Sequence, residues 1–173
     1  MWHKGSKNGH GIYIYSDGSR YEGEFRNDKR HGQGRCYYPL GDVYEGDWRE
    51  DLRCGNGVYK FKDGQVYDGE WKHDDMNGIG DLHSSDGSKY SGDWEDGLIQ
   101  GEGSMEYPNG DLYQGMWDAG LKDGEGRYLW ATGEKYEGVW SKDHMNGRGI
   151  LVVDGVSYHV EFQNGVLSSK LDL

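Results

Sequence analysis

The sequence predicts an all-β fold, an elongated single array of stacked antiparallel β-hairpins forming a twisted ribbon or solenoid. Three observations predict it. Glycine supplies 31 of 173 residues, while proline supplies 2. Aromatics are plentiful (14 Tyr, 7 Trp, 3 Phe) although only 34% of the chain is hydrophobic, so a thick aliphatic core is not expected. Tyrosine recurs every 23 residues at Tyr21, Tyr44, Tyr67, Tyr90, Tyr113 and Tyr136, and Tyr158 follows after 22. Glycine does not fall at every third residue, which excludes collagen, and the ring content excludes a disordered glycine linker.

The first element of each unit is the strand that begins at the tyrosine. YEGEF, YEGDW, YDGEW and YSGDW alternate large, polar, small, polar, large, which is the period of a strand. Tyrosine, glycine and the aromatic four residues on then share one face, with the polar residues on the other. The mid-strand glycine leaves room for flanking rings to lean over the backbone, so Gly69 and Gly92 should not tolerate side chains. A loop such as RNDKRHG turns the chain, and a second strand follows a G-x-G, as in GVYKF or GRYLW. Asp17-Gly18, Asp63-Gly64, Asp86-Gly87 and Asn109-Gly110 then read as hairpin turns. Four kinds of repeat position account for every glycine, leaving none for a phosphate-binding loop. A lone hairpin is marginal in water, so stability must come from stacking neighbours.

These units resemble the MORN repeat (membrane occupation and recognition nexus), most closely at residues 21–43, YEGEFRNDKRHGQGRCYYPLGDV, and 113–135, YQGMWDAGLKDGEGRYLWATGEK. The resemblance spans residues 2–167. It divides the chain into a partial first repeat at 1–20, six repeats at 21–157, and a degenerate repeat or cap at 158–173. Trp2 stands in the register of Trp48 and Trp71, so the first repeat starts late, which reads as a chain cut inside a larger array or as a worn cap. The resemblance implies an elongated hairpin array. It also implies settings as varied as junctional membrane proteins, phosphoinositide kinases, methyltransferases and cytoskeletal or ciliary scaffolds, and a tendency to dimerise.

Chemistry finds little footing. H-E-x-x-H, C-x-x-C and G-x-S-x-G are missing from the sequence, and its carboxylates recur at fixed repeat positions, as a solvated strand face would. No catalytic residue, metal ligand or cofactor is expected, and Cys36 and Cys54 are too few for a disulfide framework. A metal held across repeats by cysteine and histidine is left open. With 31 acidic against 19 basic residues, nucleic acid is not an expected partner. The expected function is a non-enzymatic scaffold in the cytoplasm, at the cytoskeleton or cilium or the membrane periphery. Three surfaces are its candidates. The aromatic face, Tyr44, Trp48, Tyr67, Trp71, Tyr90, Trp94, Tyr113, Trp117, Trp130, Tyr136 and Trp140, is expected to bind an extended or helical protein segment, with packing of the rings on one another as the alternative. A basic rim of Lys4, Lys7, Arg26, Lys29, Arg30, Arg49 and Arg53 suits anionic lipid as a second choice; an accessory domain cut from a larger enzyme is a further alternative for the chain as a whole. The carboxyl end, through Val153, Tyr158, Val160, Phe162, Val166 and Leu167, is expected to cap the stack or pair two copies into a homodimer.

Overall fold

The computed structural model describes residues 2–3 and 6–172, the first two and last two of these by backbone alone. Every regular element is a strand, and no helix long and apolar enough to cross a membrane occurs among the described residues. The chain falls into two compact units, Met1–Ser85 with Glu95–Gly97, and Asp86–Trp94 with Leu98–Leu173.

The first unit opens with a short pair, β1 (Trp2–His3) and β2 (Ser6–Lys7), followed by β3 (Gly9–Ile14), β4 (Arg20–Arg26), β5 (Lys29–Tyr37), β6 (Val43–Arg49), β7 (Leu52–Lys60), β8 (Val66–Lys72) and β9 (Asp75–His83). The second carries β10 (Lys89–Glu95), whose last residue belongs to the first unit, β11 (Leu98–Glu106), β12 (Leu112–Asp118), β13 (Leu121–Leu129), β14 (Lys135–Ser141), β15 (His144–Val153), β16 (Val156–Gln163) and β17 (Val166–Asp172). From β3 to β17 strand order follows chain order, without a crossover. The sheet is open, as the hairpin repeats require.

Two turn types alternate, and both differ from the sequence expectation in a definable way. The seven-residue loop is in fact a two-residue turn, after which β5 or β7 resumes at once. At Glu50 and Asp51 both φ angles are positive, +52° and +73°, the signature of a type I′ turn. Aspartate tolerates this left-handed geometry and adds a bond: Asp51 Oδ1 accepts the Arg30 amide at 2.8 Å, and the Asp51 amide donates back to the Arg30 carbonyl at 3.1 Å. Asp74 clasps Arg53, and Asp143 clasps Lys122, in the same way. Each turn is thereby tied to the hairpin before it.

The Asp-Gly pairs, by contrast, close three-residue loops. The Gly64 amide donates to the Phe61 carbonyl at 3.1 Å, and Phe61 donates to Gln65 at 2.9 Å. In the last unit the missing residue shortens this loop, and Asp154 (φ +50°) and Gly155 (φ +77°) form a two-residue turn instead.

The G-x-G is a bulge. Between β6 and β7 the pairing steps from Gly46↔Gly57 to Asp47↔Cys54, so Gly55 and Asn56 are extra. Asp47 Oδ2 accepts the Asn56 amide at 2.9 Å, and Asp93 accepts that of Glu102 equally. Asp93 is exposed and Asp47 half-buried, so these carboxylates lie on the solvated face and cap bulge backbone as well.

Candidate functional site

The core of each unit is the ring ladder itself. Tyr21, Tyr44, Tyr67, Tyr90, Tyr113 and Tyr136 are fully buried, and the aromatic four residues after each is buried as well. Each tyrosine ring lies over the glycine pair of its own hairpin and donates its hydroxyl to the carbonyl three residues on, from Tyr44 to Asp47 at 3.1 Å and from Tyr113 to Met116 at 2.9 Å. A Cβ on Gly57 would stand 2.3 Å from the Tyr44 hydroxyl, so the second glycine of the G-x-G exists for close approach. Tyr44 meets the edge of Trp48 at 5.1 Å and of Trp71 in the next repeat at 5.2 Å, and Tyr113 meets Trp117 and Trp140 at 5.0 and 5.3 Å. Such pairs contribute about 0.5–1.5 kcal/mol beyond burial. The indole N–H of Trp71 is also spent, on the Gly57 carbonyl at 2.9 Å. Tyr44, Trp48, Tyr67, Trp71, Tyr90, Trp94, Tyr113, Trp117, Tyr136 and Trp140 are therefore a core and not an open partner face. The reason is that the array has little other apolar matter to bury.

Trp130 belongs to a different row. Beside the ladder, on the same face, stand half-buried rings: Tyr13, Tyr15, Tyr38, Tyr59 and Phe61 in the first unit, Tyr107, Tyr128 and Trp130 in the second. Two clusters in this row correspond at a spacing of three repeats. In the first unit Tyr59 lies 5.9 Å from Tyr38, 4.5 Å from Phe61 and 5.9 Å from Trp71. In the second, Tyr128 lies 6.0 Å from Tyr107, 4.9 Å from Trp130 and 5.8 Å from Trp140. A carboxylate fixes the central ring of each: Tyr59 donates to Asp42 at 2.8 Å and Tyr128 to Asp111 at 2.6 Å. The other oxygen of each aspartate accepts a loop amide, from Lys62 or Ala131, at 2.9 Å. The Tyr128 hydroxyl and then the Ala131 amide hold the Asp111 carboxyl below its usual range. Burial pushes the Tyr38 hydroxyl up to about 12.

Sequence reasoning missed this pairing, although its signal is present. The chain's two prolines, Pro39 and Pro108, sit in YPLGDVY and YPNGDLY, which contain Asp42 and Asp111 at the same place.

The basic rim is only partly a rim. Lys4 lies outside the described residues. Arg30 and Arg53 turn inward, their guanidinium carbons 4.0 Å from the Trp48 ring and 4.4 Å from the Trp71 ring, and both bond the clasping aspartate. Lys7 rests over Tyr13 at 3.5 Å, Lys29 pairs with Glu50, and Arg26 and Arg49 are exposed. At the carboxyl end Val160 and Phe162 are buried core, which removes them from any seam. Val153 and Tyr158 are half-buried, whereas Val166 and Leu167 are 69% and 44% exposed. Cys36 is buried, and burial pushes its thiol up, partly offset by Arg30. Among the described residues no group of three or more His, Cys, Asp or Glu is placed to hold a metal ion.

Comparison with known proteins bears on this arrangement. The MORN repeat family matches at residues 1–20, 21–43, 44–66, 67–89, 90–112, 113–135 and 136–155. No curated protein matches the chain. Among solved structures, the chain is similar to the SAS-4 (dCPAP) TCP domain of Drosophila melanogaster, in complex with a proline-rich motif of Ana2 (dSTIL), with a TM-score of 0.50 and 16% identity over 87% of this chain and 88% of that one. The wild-type TCP10 domain of Danio rerio CPAP, in complex with a peptide of Danio rerio STIL, matches with a TM-score of 0.43 and 11% identity over 94% and 93%. The likeness to the Drosophila domain is one of fold.

Proposed function

The chain belongs to the MORN repeat family, and from that premise we propose that it is a non-enzymatic scaffold that holds an extended segment of a protein partner on its outer ring row. The observation that carries this reading is the half-buried row beside a ladder already consumed as core. Rigid rings give large contact area at low entropy cost, and those of Tyr59 and Tyr128 are fixed in advance by Asp42 and Asp111. The Drosophila neighbour, whose fold is similar, is in complex with a proline-rich motif, and proline-rich chains favour an extended conformation. A cytoskeletal setting, ciliary or centriolar, fits such a scaffold.

Proximity labelling of the full-length protein in its own cell would supply the partner. Its purified segment would then be titrated against the chain and against Phe61→Ser and Trp130→Ser. We expect at least one variant to weaken binding by about tenfold with an unchanged melting temperature. Full affinity in both would sink the reading.

A second reading, self-association, is favoured by Val166 and Leu167, exposed on the last strand. Light scattering would separate it: a dimer dissociated by Leu167→Glu supports it, and a monomer at all concentrations ends it. Anionic lipid has less support, because Arg30 and Arg53 are engaged with tryptophan and aspartate.

A further inference from the structure

The two ring clusters share a frame and differ in what they can donate. In the second unit, Lys122 Nζ donates to the Tyr107 hydroxyl oxygen at 3.2 Å. That oxygen therefore acts as acceptor, and its own proton has no acceptor among the described residues. The Trp130 indole N–H also lacks a partner there, unlike those of Trp117 and Trp140, which bond the Gly103 and Gly126 carbonyls. Tyr128, whose proton is committed to Asp111, offers only its ring. The cluster thus presents flat ring faces flanked by two hydrogen-bond donors. In the first unit, Phe61 stands in the place of Trp130 and has no N–H.

A ligand matched to this cluster has carbonyl acceptors, flat apolar rings and few N–H groups. A proline-rich segment in the polyproline II conformation meets all three demands, and it brings little conformational entropy to lose. Charge adds a further condition. The chain carries a formal net charge of −12. Basic residues flanking the prolines complement that charge.

We propose that Tyr107, Tyr128 and Trp130 form a docking site for a proline-rich segment bearing basic residues, and that the matching cluster of the first unit does not. This rests on the reading of the outer row as a partner surface and names the partner's chemistry.

The test is calorimetric titration of the full chain with an oligoproline peptide ending in lysines, beside the same peptide with glycine replacing alternate prolines. One saturable site is expected, lost with the glycine peptide. Trp130→Phe keeps the ring and removes the N–H; it should weaken binding about tenfold, with Tyr107→Phe weakening it several-fold. Phe61→Ala should leave it unchanged. In heteronuclear spectra one indole N–H resonance should shift on titration, and it should be the one missing from Trp130→Phe. Lack of binding, equal affinity for the glycine peptide, full affinity in Trp130→Phe, or loss in Phe61→Ala would each overturn the proposal. If the cellular partner is lost with Trp130→Ser while oligoproline does not bind, the partner surface stands and the proline chemistry fails.

Discussion

The ring cluster around Tyr59 and the one around Tyr128 are built to one plan and held by different cations. In the first, Arg53 donates from Nε to Asp74 Oδ1 at 3.0 Å and from a terminal nitrogen to the Asp74 carbonyl at 2.8 Å, while its plane covers Trp71. In the second, Lys122 stands 3.6 Å from Asp143 and between 5.4 and 5.7 Å from four rings. A planar fork satisfies two acceptors and a ring together, whereas a point charge settles among rings without saturating any contact. The arginine version is a tighter clasp; the lysine version leaves one bond for Tyr107. The comparison teaches that the repeat tolerates exchange at its cation so long as the ring beneath remains covered.

The largest effect should come from the feature the two regions share. Gly46→Val and Gly115→Val each place a Cβ 2.5 Å from the cross-strand glycine Cα, against backbone that cannot retreat. Both should lose about 3 kcal/mol in chemical denaturation, as should Gly92→Val. A markedly milder loss in one unit would break the equivalence of the two regions, and an unchanged melting temperature in all three would end the account of the ladder. Next, Arg53→Ala should cost roughly 2 kcal/mol and Lys122→Ala nearer 1 kcal/mol. Lys122→Arg should recover the stronger clasp, and equal losses would mean that the geometry of the fork is irrelevant. Smaller again, Asp42→Ala and Asp111→Ala each strand a tyrosine hydroxyl and a loop amide, at about 1 kcal/mol or a little more. Asp111 is the more buried, so its loss should be the larger.

Alkaline pH tests what the regions have in common. Burial raises the hydroxyls of Tyr44 and Tyr113 well above 10, and those of Tyr21, Tyr67 and Tyr90 likewise. The folded state therefore holds protons that the unfolded chain releases near 10. The tyrosine contribution to stability should be fully present below that pH and be lost as pH rises beyond it, as tyrosinate absorbance would follow. A transition flat to strong alkali would contradict the burial of the ladder.

Much of the local structure was legible. The period-2 pattern of YEGDW and YDGEW placed the strands, and the glycine between the rings announced a close approach, which the Tyr44 ring over Gly57 makes. The turns were legible in place but not in kind. Asp-Gly is the usual mark of a two-residue hairpin turn, yet Gly64 closes a three-residue loop, while Glu50-Asp51 makes the tight turn with no glycine. The Asp51 side chain compensates by clasping Arg30, a bond 21 residues away that local sequence does not display. The candidate site was less legible. Trp130 was visible as a ring beyond the repeat pattern, but Tyr44 and Tyr59 look equally eligible in sequence. Both reach Trp71 of the next hairpin; Tyr44 is core because its ring lies over the glycine pair of its own hairpin.

By itself the sequence determined the all-β repeat, its 23-residue period, and the face on which the rings gather. These follow from alternation and spacing, which act between near neighbours along one chain. Only the tertiary structure decided that the ladder is spent as core, that Arg30 and Arg53 turn inward, and that a second row of rings is left at the surface. The physical reason is that burial belongs to the packed array: a ring becomes core when it lies over a glycine pair and the neighbouring repeat closes on it.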